Sequence, residues 1–136
     1  MALLNPFAST LKFWKVFCLG EYFSKICFDR LWRQIFIFQV IISLAQRKIP
    51  LEKLHQIGFT IYETDLTGDY SADYFQSTQA IGTSGSYINY REVFGRFTLM
   101  KGSYVVIPAT FLPNIEAEFL LRIFSQEKIK LEEIQN

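Results

Sequence analysis

The rhythm of apolar and polar positions changes near residue 35. Before it, the charged side chains Lys12, Lys15, Lys25, Asp29 and Arg33 recur on one half of a helical wheel. Phe13, Val16, Phe17, Phe23, Cys27, Phe28 and Leu31 crowd the other half. That spacing predicts an amphipathic helix over 10–34, with Ser9 or Thr10 as its N-cap and Gly20 as a point of interruption. After it come short strand-like runs separated by turn chemistry. Residues 35–46 (IFIFQVIISLAQ) are almost continuously apolar, interrupted by Gln39 and Ser43, and predict a central strand. Residues 57–63 (IGFTIYE) predict a second strand and 64–73 a polar loop around Gly68. A weaker strand over 74–80 is expected to end at the turn Gly82–Gly85.

The C-terminal half continues this pattern. Residues 93–99 and 103–110 predict a hairpin closed by Met100-Lys101-Gly102, with Gly102 at positive φ. Pro108 marks the second of these strands as an edge or a bulge. Phe111-Leu112-Pro113-Asn114 turns the chain into a last strand over 117–125, and Ser125 is placed to cap a helical turn in a polar tail, 127–136. Strands this short at this spacing predict a mainly β fold, an antiparallel β-sandwich over 35–126, preceded by the helical segment 1–34.

Composition narrows the function. The length, 136 residues, suits one domain, and the 50% hydrophobic share argues against disorder. Fourteen basic and thirteen acidic residues give +1, so no global field gathers nucleic acid. The charge is uneven: residues 1–34 hold five basic and two acidic side chains, or +3, which leaves −2 for the rest. A basic, aromatic-rich helix has two uses. It packs its apolar face on its own domain, or it lies on an anionic membrane through Lys12, Lys15, Lys25 and Arg33. The first residues carry no charge, unlike a secretory signal, and the longest apolar run is too short to span a bilayer, so a cytoplasmic chain is expected.

Catalytic chemistry is sparse. With one His and two Cys, a zinc site would need Cys18, Cys27 and His55 to converge. His55 reads as a loop histidine, and the two thiols as reduced packing groups. Glu63, Asp65, Thr67, Gly68, Asp69 and Ser71 follow the oxygen spacing of an EF-hand loop, but the twelfth position is Tyr74 rather than a bidentate Glu. Two readings remain: a solvated acidic turn, or a weak calcium site on Glu63, Asp65 and Asp69. No other cofactor is expected.

Residues 57–63 (IGFTIYE), 87–99 (YINYREVFGRFTL) and 102–125 (GSYVVIPATFLPNIEAEFLLRIFS) resemble the third domain of calpains, block by block and in the same order. Residues 35–46 are similar to the strand before them. The resemblance implies an eight-stranded antiparallel sandwich, a non-catalytic regulatory element of calcium-dependent cysteine proteases credited with calcium-dependent phospholipid contact. The protease core with its Cys, His and Asn triad does not appear in the chain, nor does the helical calcium-binding domain. Residues 1–34 do not resemble the front of the sandwich, where the family carries its acidic loop.

Three functional readings follow. The first is a non-enzymatic regulatory module that contacts other calpain domains or protein partners. The second is a peripheral phospholipid binder using the basic helix and the acidic loop. The third is a truncated product without a function of its own. In each, about two leading strands are missing, and Phe13, Phe17, Phe23 and Phe28 are expected to cover the gap as a helical layer.

Overall fold

In the computed structural model of the chain, residues 11–18, 37–64, 72–115, 117–125, 129 and 131 are described, residues 11–18 by their backbone. The elements are β1 (Leu11–Cys18), β2 (Ile37–Gln46), β3 (Ile57–Thr64), α1 (Ala72–Ser77), β4 (Gly82–Thr83), β5 (Glu92–Met100), β6 (Ser103–Thr110) and β7 (Ala117–Ser125). They form a four-stranded sheet in the order β1-β7-β2-β5 and a three-stranded sheet in the order β4-β3-β6. The predicted central strand is central: β2 pairs antiparallel with β5 on one side and β7 on the other.

Period-two alternation decides which residues enter the core. On β2, Phe38, Val40, Ile42 and Leu44 point inward. They meet Ile57, Phe59 and Ile61 of β3, Val93 and Leu99 of β5, Tyr104 of β6, and Phe119, Leu121 and Ile123 of β7. One apolar cluster therefore joins both sheets, which makes the fold a sandwich. Leu131, beyond β7, is buried in the same cluster, and Ile129 packs against it. Phe97 fills the space near β4. A Cβ on Gly82 would lie 2.7 Å from its ring and one on Gly95 2.6 Å, so a side chain at either position would require the ring to shift. The ring also meets Phe59 edge-on, at 5.9 Å between centroids.

Four expectations are corrected. Residues 11–18 form a strand, not the first half of a helix, and β1 runs parallel to β7 with an irregularity between Phe13 and Lys15. The physical reason is that β7 would otherwise present an open row of N–H and C=O groups, which an aromatic-rich segment satisfies as readily as it forms a helix. The rest of the expected helix, residues 19–34, lies outside the described residues, as do Phe23 and Phe28. Residues 74–80 do not form a strand. Tyr74 and Phe75 are adjacent apolar residues without alternation, and α1 turns Phe75 down onto Tyr62 of β3.

The expected hairpin over 93–110 is a corner instead. β5 pairs with β2 and β6 with β3, so the turn carries the chain from one sheet to the other. The Tyr104 hydroxyl donates to the Met100 carbonyl across this corner at 2.6 Å. Finally, Gly102 does not adopt positive φ; the described residues that do are Leu51, Gly85 and Asn114. Pro108 does sit on an edge strand, β6, where a missing N–H is tolerated.

Candidate functional site: the outer face of the four-stranded sheet

The outer faces of the two sheets are built differently. On the three-stranded sheet, Tyr62, Val105 and Ile107 are covered by Phe75, Tyr74 and Ala80 from α1 and the segment after it. Thr78 and Ser77 fold back to the Tyr74 carbonyl through their hydroxyls at 2.7 and 3.0 Å, which ends the helix and fixes this lid.

On the four-stranded sheet, the outward residues of the central rows are Arg122, Ser43 and Phe94, then Phe124, Ile41 and Arg96. Ser43, one of the two polar interruptions in the β2 run, is small enough for the Arg122 side chain to pass over it. Arg122 donates through Nη2 to Glu92 Oε1, and the Ser43 hydroxyl donates to the same oxygen. Three strands are thus tied together on their solvent side. The Ser43 hydrogen bond, more than the Arg122 charge, holds the Glu92 carboxyl below the usual carboxylate range against the opposing effect of partial burial. Beside this cluster a shallow groove of about 300 Å³ is lined by Gln39, Ile41, Arg96, Phe124 and Ser125. Phe94 is 72% exposed, and Met100 and Phe124 are also open to solvent.

A second polar knot lies at the sheet's end. Gln46, only 2% exposed, donates through Nε2 to the carbonyls of His55 and Tyr90, both at 2.8 Å, and accepts the His55 N–H at 2.9 Å. Both amide N–H groups and the amide oxygen are engaged, and they tie β2 to the chain before β3 and to the chain before β5. Next to it Arg47 bridges Glu118 of β7 at 2.7 Å.

The residues expected to carry chemistry lie elsewhere. Glu63 is exposed at the end of β3, opposite Tyr104, beside the β5–β6 corner. Burial, with the Glu63 charge added, raises the Tyr104 phenol above its ordinary range, and its bond to Met100 offsets part of this. Asp65 and Asp69 lie outside the described residues. Among those described, no three His, Cys, Asp or Glu side chains come together. Lys12 and Lys15 are on β1, opposite Glu118 and Leu120, so a helical wheel does not relate them to the other basic residues. Lys25 and Arg33 lie outside the described residues. His55 is a loop histidine whose backbone is clasped by Gln46. Glu92, Arg122 and Gln46 were not singled out by the sequence; Ser43 and Gln39, breaking an apolar run, were the visible signal.

The family model for the calpain large subunit, domain III, matches residues 35–124. The chain belongs to the calpain domain III family. The matched stretch holds β2 to β6 and all of β7 but its last residue, while β1 falls outside it. The chain is similar to the calpain-2 catalytic subunit of Bos taurus, 45% identical over 89 residues, and to that of Homo sapiens, 42% identical over 89 residues. Each match covers 61% of this chain and 13% of the relative. Calpain-9 of Rattus norvegicus is 47% identical over 73 residues, which are 53% of this chain and 11% of that protein. The chain therefore spans only a small part of the length of these relatives. Among the described residues, no helix is long and apolar enough to cross a membrane.

Proposed function

We propose that this calpain-type sandwich is a non-catalytic regulatory module of the cytoplasm that acts by contact with protein partners, other calpain domains among them. The observation that carries this reading is the use of its polar groups. Within the family-matched residues, the side-chain hydrogen bonds of Ser43, Gln46, Glu92 and Arg122 bind strands and their flanking segments to one another. A nucleophile held against a base is a different arrangement. What the sandwich offers to solvent is surface: an apolar and charged outer sheet face with exposed Phe94 and Arg96.

The test has two arms. The full chain is assayed for hydrolysis of a fluorogenic peptide in millimolar calcium, and it is titrated into a recombinant calpain protease core. No intrinsic hydrolysis is expected, together with a saturable change in the calcium dependence of the core. Thiol-dependent hydrolysis abolished by Cys18→Ala or Cys27→Ala would overturn the reading. Calcium-dependent sedimentation with anionic liposomes, lost in a Glu63, Asp65 and Asp69 triple Asn/Gln variant, would replace protein contact with lipid contact.

A further inference from the structure

The strand β5 closes one end of the four-stranded sheet, and no described strand pairs with its other side. The direction of its backbone groups follows from one hydrogen bond. The Gln46 N–H donates to the Arg91 carbonyl at 2.9 Å, so the odd-numbered positions of β5 face β2. In an antiparallel strand, successive residues alternate in this respect. Glu92, Phe94, Arg96 and Thr98 therefore direct their N–H and C=O groups to the open edge. The same four residues carry their side chains on the outer face of the sheet, and all are exposed.

We infer that this edge is a self-pairing surface: two copies of the chain join β5 to β5, antiparallel, about a two-fold axis at Phe94. Charge complementarity selects the partner and the register. With Phe94 opposite the partner's Phe94, Glu92 faces the partner's Arg96, and Arg96 faces the partner's Glu92. Moving the axis to position 96 would oppose two Arg, and moving it to position 92 would oppose two Glu. An axis at position 95 sets Glu92 against the partner's Thr98 and gives the carboxylate no second cation beside Arg122. Opposite charges and aromatic pairs directly across an antiparallel ladder are the favourable combinations, and like charges the unfavourable ones.

The groups needed are at hand. Both internal contacts of Glu92 use Oε1, which leaves Oε2 for a second cation. Arg96 has no ionic partner among the described residues, and Phe94 is 72% exposed. Pairing satisfies the open row of backbone groups, covers the two Phe rings and merges two sheets of four strands into one of eight. The contact is isologous, so it closes at two copies and does not propagate from this edge.

Sedimentation equilibrium of the full chain over a wide concentration range tests this. A reversible monomer–dimer equilibrium without larger species is expected. R96E should weaken it at least tenfold, because it opposes acid to acid at both ends of the pair. E92R should do likewise, and an equimolar mixture of R96E and E92R should regain association, since every opposed pair is then of opposite sign. The F94C variant reads the register without disturbing a charge: hydrogen-bonded antiparallel pairs sit about 5.5 Å apart between Cα atoms, within disulfide reach. Under mild oxidant it should link two chains through position 94, located by peptide mapping, whereas T98C should not link through position 98. Thermal melts establish that each variant folds. A chain that stays monomeric at every concentration overturns the inference. So does a dimer indifferent to R96E, or one that links through position 98 as readily as through 94. A monomer that instead takes up an added extended peptide along β5 assigns the edge to another partner and equally overturns it.

Discussion

The outer faces of the two sheets start from the same problem and solve it in opposite ways. Each sheet buries its inner face in the common core and must do something with the other. The three-stranded sheet has Tyr62 and Val105 facing out, and α1 covers them with Phe75 to make a second, smaller apolar cluster. The four-stranded sheet keeps its outer face in contact with water and braces it with the Ser43, Glu92 and Arg122 cluster. Apolar residues remain exposed there, Phe94 and Phe124 among them. A face closed by packing contributes stability; a face held by polar contacts stays available to a partner. In a fold whose inner faces are committed to the core, function is therefore to be sought on the open outer face.

The largest effect should come from opening the closed face. Phe75→Ala removes the ring that rests on Tyr62 at 5.0 Å and is expected to cost about 3 kcal/mol, the low end for a buried Phe. Urea unfolding measures it, and a loss below about 1 kcal/mol would show that α1 does not function as a lid. Next comes the brace of the open face. Ser43→Ala removes the main hydrogen bond to Glu92 at a site only 3% exposed, and about 1 kcal/mol should be lost. The Glu92 carboxyl, titrated by NMR, should move back toward the usual carboxylate range in this variant. An unchanged titration would assign the depression to Arg122 instead.

The two faces should also differ in their response to pH. Glu92 has a depressed folded pKa, so its contribution is present above the unfolded value and is lost as pH falls through the folded one. Tyr62 has a raised folded pKa because of burial. Its contribution is therefore present below the unfolded value near 10 and is lost as pH rises through the folded one. Glu92→Gln should flatten the acid side of the stability profile by less than about 1 kcal/mol, as befits a partly exposed pair, and Tyr62→Phe should flatten the alkaline side. If both variants altered the same side, the contrast between the faces would fail. The smallest effect is expected for Phe94→Ala, within about 0.5 kcal/mol at concentrations where the chain is monomeric, because the ring is then mostly in water. Paired with Phe75→Ala, it compares one Phe on each outer face.

Much of this fold is legible from local pattern. The strands at 103–110 and 117–125 have the expected boundaries, and those at 57–64 and 92–100 differ from expectation by a residue at one or both ends. Central β2 and edge β6 follow from continuous apolarity and from Pro108. The candidate surface was less visible: Ser43 and Gln39 stood out as polar interruptions, yet nothing marked Glu92 or Arg122 as their neighbours. Those side chains converge only because β2 lies between β5 and β7, and their partners are 49 and 30 residues apart.

Where strands exist and which side of each is apolar follow from local sequence, because alternation and turn residues act over a few positions. Pairing was decided by the tertiary structure. Among the described strands, β3 and β4 alone are consecutive strands joined in one sheet; every other ladder brings together distant segments. A local pattern cannot choose between pairing β5 with β6 and turning the corner to β2, since both bury the same side chains' apolar area. The choice rests on how two whole sheets close over one core, with the Tyr104 bond to Met100 fixing the corner afterwards. The same holds at β1 and α1. An aromatic segment at 11–18 takes the conformation that the open edge of β7 demands, and one at 72–77 the conformation that covers Tyr62. Intrinsic propensity differs by at most about 1 kcal/mol per residue, less than satisfying a row of backbone groups or burying a Phe contributes.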